Sequence, residues 1–587
     1  MGSMKSSSWL ITPLVLLFAG FYVVPFIYII TISVEGDVNP FSNYLRALSD
    51  FTSLYILWKT MLYGAEVTTA CILFGYPLAF MISTARTKWR RLLLVLVLMP
   101  LWTSILVRSF VWVAILGREG LINRLVVSVG LTSEPIALLY NHIGAVVGMV
   151  HVMLPYMVLA LYAQMSRMDI RLAQAASSLG ASPRTAFLLV FVPLSMPGVI
   201  AGSLLVFVVT ISAFVTPAVL GGPRDLTYVM LIENQVNTFA NWNYAAAMSV
   251  IMIIVTAMIL GFRHYMSARL GEVRTTRNAN MLSYLFARKI ESIASLLRWI
   301  SLSKTKAVTT GYESHSWNVP GLSVFGLIVL VLSVAPFAAL VPLSFSDAAF
   351  IHFPPDEYSL RWYENLFSRR DWTDPILRSA LVALIVMLLA TMIGLCASIS
   401  LTRSNGRFMK IAYAGVLSPL LVPTLVYAVA LYMTMAKLKL IGSYTGIILA
   451  HLILALPFVI VILANALRAL DSIYEDAART LGAHPIRAFL KVTLPLLFPA
   501  ILTACIFSFL ASFDEVVVAL FITDSSTKTL PVRMWEGIRF EIDPTSIAVS
   551  VLLICLTIAG VLVIELGRLI SSRGRYSDRT GITAGLR

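Results

Sequence analysis

Charge is scarce in this chain: Asp, Glu, Lys and Arg make up 12% of its 587 residues, against roughly 25% in a soluble globular protein. That shortage excludes an ordinary water-soluble domain. Cysteine is scarce too. Cys71, Cys396, Cys505 and Cys555 all fall inside apolar runs, with no C-x-x-C spacing, so a disulfide framework and a thiolate metal site are excluded and buried small hydrophobes remain. The seven histidines, His142, His151, His264, His315, His352, His451 and His484, are scattered without the i,i+4 pairing of a metal helix. The dipeptide Gly-Lys does not occur, so there is no G-x-x-x-x-G-K-[ST] loop to cradle a nucleotide's phosphates. A membrane-embedded enzyme is disfavoured as well, because no paired carboxylates, nucleophile or metal cluster sits at a helix end. The chain is therefore expected to be no enzyme and to bind no metal or cofactor of its own.

What it has in abundance is apolar sequence, 59% of all residues. Runs long enough to cross roughly 30 Å of hydrocarbon fall at 10–33, 57–84, 92–116, 144–165, 193–220 and 244–267. A second set falls at 319–344, 376–401, 411–436, 445–468, 494–523 and 546–571. The expected fold is an all-α integral membrane protein of twelve spans, six plus six, in two homologous domains related by a pseudo-twofold axis. The run from Trp9 to Ile32 exceeds a signal-peptide core and reads as a retained first span.

The net charge of +15 points to topology and not to nucleic acid, because the basic residues are dispersed among short loops. Arg86, Lys88, Arg90 and Arg91 follow the second run, and Arg167, Arg171 and Arg184 the fourth. Arg403, Arg407 and Lys410 follow the eighth, and Arg468, Arg479, Arg487 and Lys491 the tenth. Loops on the other side carry acids such as Asp347, Asp356, Glu357, Glu364, Asp371 and Asp374, with Lys437 and Lys439 as the exception. Positive loops face the cytoplasm, so both termini are expected there, in a multi-pass protein of a bacterial inner membrane. The domains are expected at 4–268 and 319–575, joined by a basic linker at 269–318. Within the linker Leu282, Leu285, Phe286, Ile290, Ile293, Leu296, Leu297 and Ile300 recur at helical spacing. This predicts an amphipathic helix lying among lipid headgroups, or else packing on a partner protein.

One polar segment occurs twice, 302 residues apart. The first copy reads Gln174-Ala-Ala-Ser-Ser-Leu-Gly-Ala-Ser-Pro183, the second Asp476-Ala-Ala-Arg-Thr-Leu-Gly-Ala-His-Pro485. Val192-Pro193 through Pro197 and Leu494-Pro495 through Pro499 follow at equal distance, and Leu154-Pro155 and Leu456-Pro457 precede. Each copy predicts a short helix, capped by Asp169 in one and by Asp471 or Ser472 in the other. Gly180 or Gly482 ends that helix, and Ser182-Pro183 or His484-Pro485 starts the next. The paired alanines leave a face without bulk where another protein can approach closely.

These segments resemble the E-A-A-x-x-x-G loop, followed by a spaced Leu-Pro, of permeases from binding-protein-dependent ABC importers. Ala175, Ala176 and Gly180 match in one half and Ala477, Ala478 and Gly482 in the other, while Gln174 and Asp476 stand where the family has Glu. The resemblance implies docking on two copies of a separate ATPase, which holds the ATP and Mg, and a periplasmic or lipid-anchored solute-binding protein on the far side. A finer likeness, carried by Gly117–Asn123, Ala213–Gly222, Pro355–Asn365 and Ser512–Ala519, is to the spermidine/putrescine permease pair, here fused. Related permeases carry ferric iron, phosphonates or opines. A secondary transporter would also show a six-plus-six pattern but leaves the twin loops unexplained.

Three acids lie inside apolar runs, where a charge costs about 2.5–3.5 kcal/mol on insertion scales. Glu66 reads either as a pathway acid or, the favoured reading, as a hydrogen bond or ion pair between helices or an interfacial position. Asp514 and Glu515, adjacent and so about 100° apart on a helix, read either as structural or as one pathway acid that draws a cationic solute inward.

Overall fold

The computed structural model describes residues 9–35, 39–169, 171–275, 320–348, 353–404, 406–471, 473–541 and 544–560. The amphipathic linker helix falls outside them. In hydrocarbon each backbone N–H and C=O must be satisfied within its own segment, which leaves the helix as the solution for an isolated apolar run. Accordingly the described residues are helices and their connections, with one isolated antiparallel bridge between Ser346 and Tyr358.

Among the described residues, nine helices are long and apolar enough to cross a membrane. In the first half these are α1 (Trp9–Val34), α2 (Phe51–Thr84), α5 (His142–Met165), α7 (Phe187–Ile211) and α9, whose apolar part is Trp242–Phe262. Between them lie α3 (Thr87–Trp102), α4 (Ile105–Leu116), α6 (Arg171–Ser178) and α8 (Val215–Leu220). The second half supplies α10 (Gly321–Ser344), α11 (Arg370–Arg403), α14 (Tyr444–Ala469) and α16 (Pro485–Phe513). Its shorter elements are α12 (Arg407–Leu417), α13 (Thr424–Lys437), α15 (Ile473–Thr480), α17 (Val517–Ile522), α18 (Leu530–Glu536) and α19 (Thr545–Gly560).

The twelve straight spans expected from hydropathy need correcting at the same places in both halves. The runs at 92–116 and 411–436 are each two helices, bent by 90° and 102°. Pro100 sits in the last turn of α3, and Pro419 and Pro423 flank the break before α13, where a missing N–H and the ring's bulk interrupt the ladder. The runs at 193–220 and 494–523 also end early, at Ile211 and Phe513, and restart as α8 and α17. The last run is described only to Gly560, as a 16-residue helix. At Phe187–Phe191 and Phe489–Thr493 the backbone widens into a π turn just ahead of Pro193 and Pro495, the i→i−5 pattern absorbing the bond that proline cannot make.

The halves exchange their first helices. Helix α10 packs on α2, α3 and α4, while α1 packs on α13 as well as on α9 of its own half. Tyr427 donates from its hydroxyl to the Phe21 carbonyl at 3.2 Å, and His151 Nε2 lies 2.9 Å from the Ser333 carbonyl. Trp242 stacks on Tyr432 with ring centroids 4.7 Å apart. Lys437, the basic exception on the acidic side, rests its ammonium over the Tyr28 ring at 3.8 Å, a cation–π contact that offsets its misplacement.

The tightest point of this exchange is Gly326, where a Cβ would stand 2.8 Å from the Pro77 carbonyl oxygen in α2. Gly326→Ala should therefore push the helices apart at a cost of about 1–3 kcal/mol, read as a lower thermal unfolding temperature of the detergent-purified protein. An unchanged temperature would show that α10 is not seated here.

Candidate docking loops and membrane pathway

The repeated segments fold into the same device twice, on the face that carries the arginine-rich loops. In the first copy Asp169 Oδ1 accepts from the Arg171 N–H at 3.0 Å at the start of α6. The Arg171 guanidinium also binds this exposed carboxylate and holds its pKa below the usual range. In the second copy Asp471 Oδ1 accepts from the Ile473 N–H at 3.1 Å. Gly180 and Gly482 then adopt φ of 92° and 86°, the left-handed region that costs a side chain strain. The chain closes with Ala181 N–H on the Ala176 carbonyl and Ala483 N–H on the Ala478 carbonyl, each 3.0 Å, the six-to-one bond of a Schellman ending. Beyond it Ser182 Oγ accepts from Thr185 N–H at 3.2 Å. His484 makes no such bond, so at that position the second copy keeps only the proline.

Ala175 and Ala477 are exposed, and Ala176 and Ala478 half-buried. Gln174 lies within α6, and Asp476 is exposed in α15, 4.0 Å from Arg479. Sequence reasoning dwelt on the alanines and missed the leucines. Leu179 and Leu481 are 90% and 89% exposed, the most solvent-facing large apolar side chains among the described residues, and they stand just before each turning glycine. The readable signal was a leucine at the same place in both copies of an otherwise polar loop. Two such knobs beside small residues form surfaces shaped for another protein.

Inside the membrane region Asp514 and Glu515 do not sit within a continuous helix, as the run 494–523 had implied; they occupy the break between α16 and α17. The break sets their roles. Glu515 is buried, and both its oxygens are committed to its own chain: Oε1 accepts from Val518 N–H and Oε2 from Ala519 N–H, each at 2.9 Å. It caps α17, with His451 Nε2 3.5 Å away and His451 Nδ1 2.9 Å from Ser512 Oγ. Asp514 reaches across to the other half. Its Oδ2 accepts from the Ile105 N–H at 3.2 Å, at the amino end of α4, where the helix dipole favours an anion. Its Oδ1 meets no protein donor among the described residues. Ser104 lies beside this carboxylate, and Arg108, one turn into α4 and 5% exposed, acts on it electrostatically.

Glu66 is elsewhere. Its carboxylate lies 2.7 Å from His142 Nε2, whose Nδ1 is 3.5 Å from Asp225, and both Glu66 and His142 are about half exposed. It links α2 to the start of α5, the interhelical pairing the sequence reading favoured.

The family described as the binding-protein-dependent transport system inner membrane component matches residues 72–272 and, a second time, 390–574. The chain belongs to that family, with two copies of its domain in one polypeptide: a multi-pass membrane permease of ABC importers, which work with an ATPase and a substrate-binding protein. Among individual relatives, it is 32% identical over 257 residues to the spermidine/putrescine transport system permease protein PotB of Haemophilus influenzae, covering 43% of this chain and 90% of that one. The Escherichia coli PotB is 33% identical over 218 residues, 37% of this chain and 79% of that protein. The Haemophilus influenzae PotC, of the same transport system, is 29% identical over 209 residues, 36% and 81% respectively.

The two neighbouring acids should separate experimentally. Glu515→Gln weakens a helix cap, worth about 1 kcal/mol, and should lower the unfolding temperature more than it lowers solute uptake. Asp514→Asn keeps shape and removes the charge, so uptake should fall while the complex still assembles. Normal uptake by both, and by the double variant, would make both acids structural.

Proposed function

We propose that this chain is the complete membrane unit of an importer for polyamines or a related small cationic solute. One polypeptide stands in for two permease subunits, served by two copies of an ATPase on the cytoplasmic face and one solute-binding protein outside. The observation that carries the reading is the pair of loops with superimposable backbone bonding and equally exposed Leu179 and Leu481 on the arginine-rich face. That is what a unit docking two copies of one motor requires. On this reading Gln174, Ala175, Ala176, Gly180 and Asp476, Ala477, Ala478, Gly482 form the two contacts. ATP and its Mg belong to the motor. On the same reading residues 4–268 and 319–575 are the domains, 269–318 joins them as a cytoplasmic linker, and both termini are cytoplasmic.

The cationic cargo is supported by the spermidine/putrescine transport of the relatives and by Asp514. A desolvated ammonium is costly in the membrane interior, and a carboxylate oxygen lowers that barrier. Arg108 beside the acid keeps the attraction modest, so the solute is passed on and not held.

Two measurements test this. Native mass of the purified complex should show one copy of this chain with two of the ATPase, and two copies of this chain would overturn it. Ala176→Asp and Ala478→Asp put an unpaired charge into a contact that excludes water, at a cost of several kcal/mol. Each variant should insert normally and yet lose transport and receptor-stimulated ATP hydrolysis. Wild-type transport by both would remove the docking role.

A further inference from the structure

The two docking loops share a backbone but are not fixed to the membrane helices in the same way. In the second half Arg403, the last residue of α11, meets Glu475 in the first turn of α15 as a fork. Nη1 donates to Oε1 at 3.2 Å and Nη2 to Oε2 at 2.5 Å. Thr493, at the end of the π turn, donates from its hydroxyl to the same Oε2 at 3.0 Å. The guanidinium also lies 5.8 Å from the centre of the Phe489 ring. Arginine at a helix carboxyl end and glutamate at a helix amino end each complement the local dipole. The pair is mostly shielded, with side chains 27% and 17% exposed. Three elements are thereby tied at one point: the end of α11, the docking helix and the root of α16.

The sequence of the first half lacks these residues at the matching places. At the same 302-residue offset Ala173 replaces Glu475 and Phe191 replaces Thr493, and α2 ends in Ser83-Thr84 where α11 ends in Arg403. Aromatic rings meet there beside a cavity with mixed polar and apolar walls. Phe80 meets Phe187 and Phe191 edge-on, with centroids 5.4 and 5.1 Å apart. Beside them is a cavity of about 150 Å³ lined by Thr84, Arg90, Met165, Asp169 and Phe191 among others. Edge-on ring contacts of this kind add modestly to what their burial supplies, whereas a forked arginine–carboxylate pair is charge-assisted and fixes orientation as well as distance.

We propose that Arg403, Glu475 and Thr493 are positioning residues that brace the second docking helix, making it the stiff lever through which ATP-driven movement reaches the membrane helices, while the first docking helix, whose sequence lacks these three residues, is the more compliant of the two. The inference rests on the docking reading above. The test is the ratio of solute imported to ATP hydrolysed by the whole complex, with its receptor, in proteoliposomes. Glu475→Gln and Arg403→Gln should each lower that ratio about five-fold, the low end of a typical coupling energy between sites. The exchanged pair Arg403→Glu with Glu475→Arg restores a fork and should recover most of the ratio. A general loss of folding would not be repaired by that exchange. Singles with wild-type ratios, or an exchanged pair no better than the singles, would overturn the brace. Ala478→Asp in the same vesicles keeps the two readings apart. Normal transport there removes docking itself; lost transport there, together with wild-type ratios for Glu475→Gln, removes only the brace.

Discussion

Everything polar in this protein is organised by one constraint, that a backbone group inside hydrocarbon has no water to turn to. Unbroken helices meet it silently. Where prolines and short connections break the ladder, amide groups are stranded and side chains must come to them. Glu515 serves two stranded amides of α17, Asp514 one of α4, and Ser104 the Leu106 N–H at 3.3 Å. Asp514 and Glu515 thus sit where the helices are interrupted, while Glu66, within unbroken α2, pairs with His142. A pathway for a polar solute needs the same thing, polar groups at depth held by protein, so the breaks that threaten stability also supply the chemistry.

This explains why some of the molecule was legible in the sequence and some was not. The docking loops were readable because each signal is local: Asp471 two residues ahead of the amide it caps, Gly482 at the turn, Pro485 starting the next helix. The duplication let each copy be checked against the other. The bends were not readable. Hydropathy averages over a window, and the residues around Pro100 and Pro423 are as apolar as those in straight spans. Proline alone does not mark the place either, since Pro155 and Pro457 sit inside unbroken helices. Whether a proline bends a helix or breaks it is decided by its packing neighbours, which lie in both halves and far away in sequence. Arg403 and Glu475 are 72 positions apart, and no pattern in one sequence joins them.

The exchange of first helices gives the fused arrangement its mechanical meaning. Because α10 packs on α2, α3 and α4, and Gly326 lets it meet the Pro77 backbone, a displacement in one half is felt in the wall of the other. Packed helices of this kind shift between discrete seats more readily than they deform. Tyr427 to Phe21 and His151 to Ser333, two of the bonds between the halves, each run to one backbone carbonyl and so guide such a shift without forbidding it.

Symmetry and asymmetry then divide by depth. At the arginine-rich surface the two halves agree in backbone to within a few degrees at Gly180 and Gly482, as they must if the same partner is to fit twice. At the break between α16 and α17 they disagree, with Ser212 in the first half where the second has Asp514, and Ala213 where it has Glu515. A solute path on a pseudo-twofold axis passes both halves at once, so it does not need each wall to carry the same charge. It needs the sum to suit the cargo. Two identical subunits would be obliged to place two acids and two arginines around that axis. A chain whose halves differ can set one carboxylate from the second half against one guanidinium from the first, and so tune the depth of the well that a cation meets. Duplication followed by divergence thus preserves the contacts that recur and frees the contacts that need occur only once.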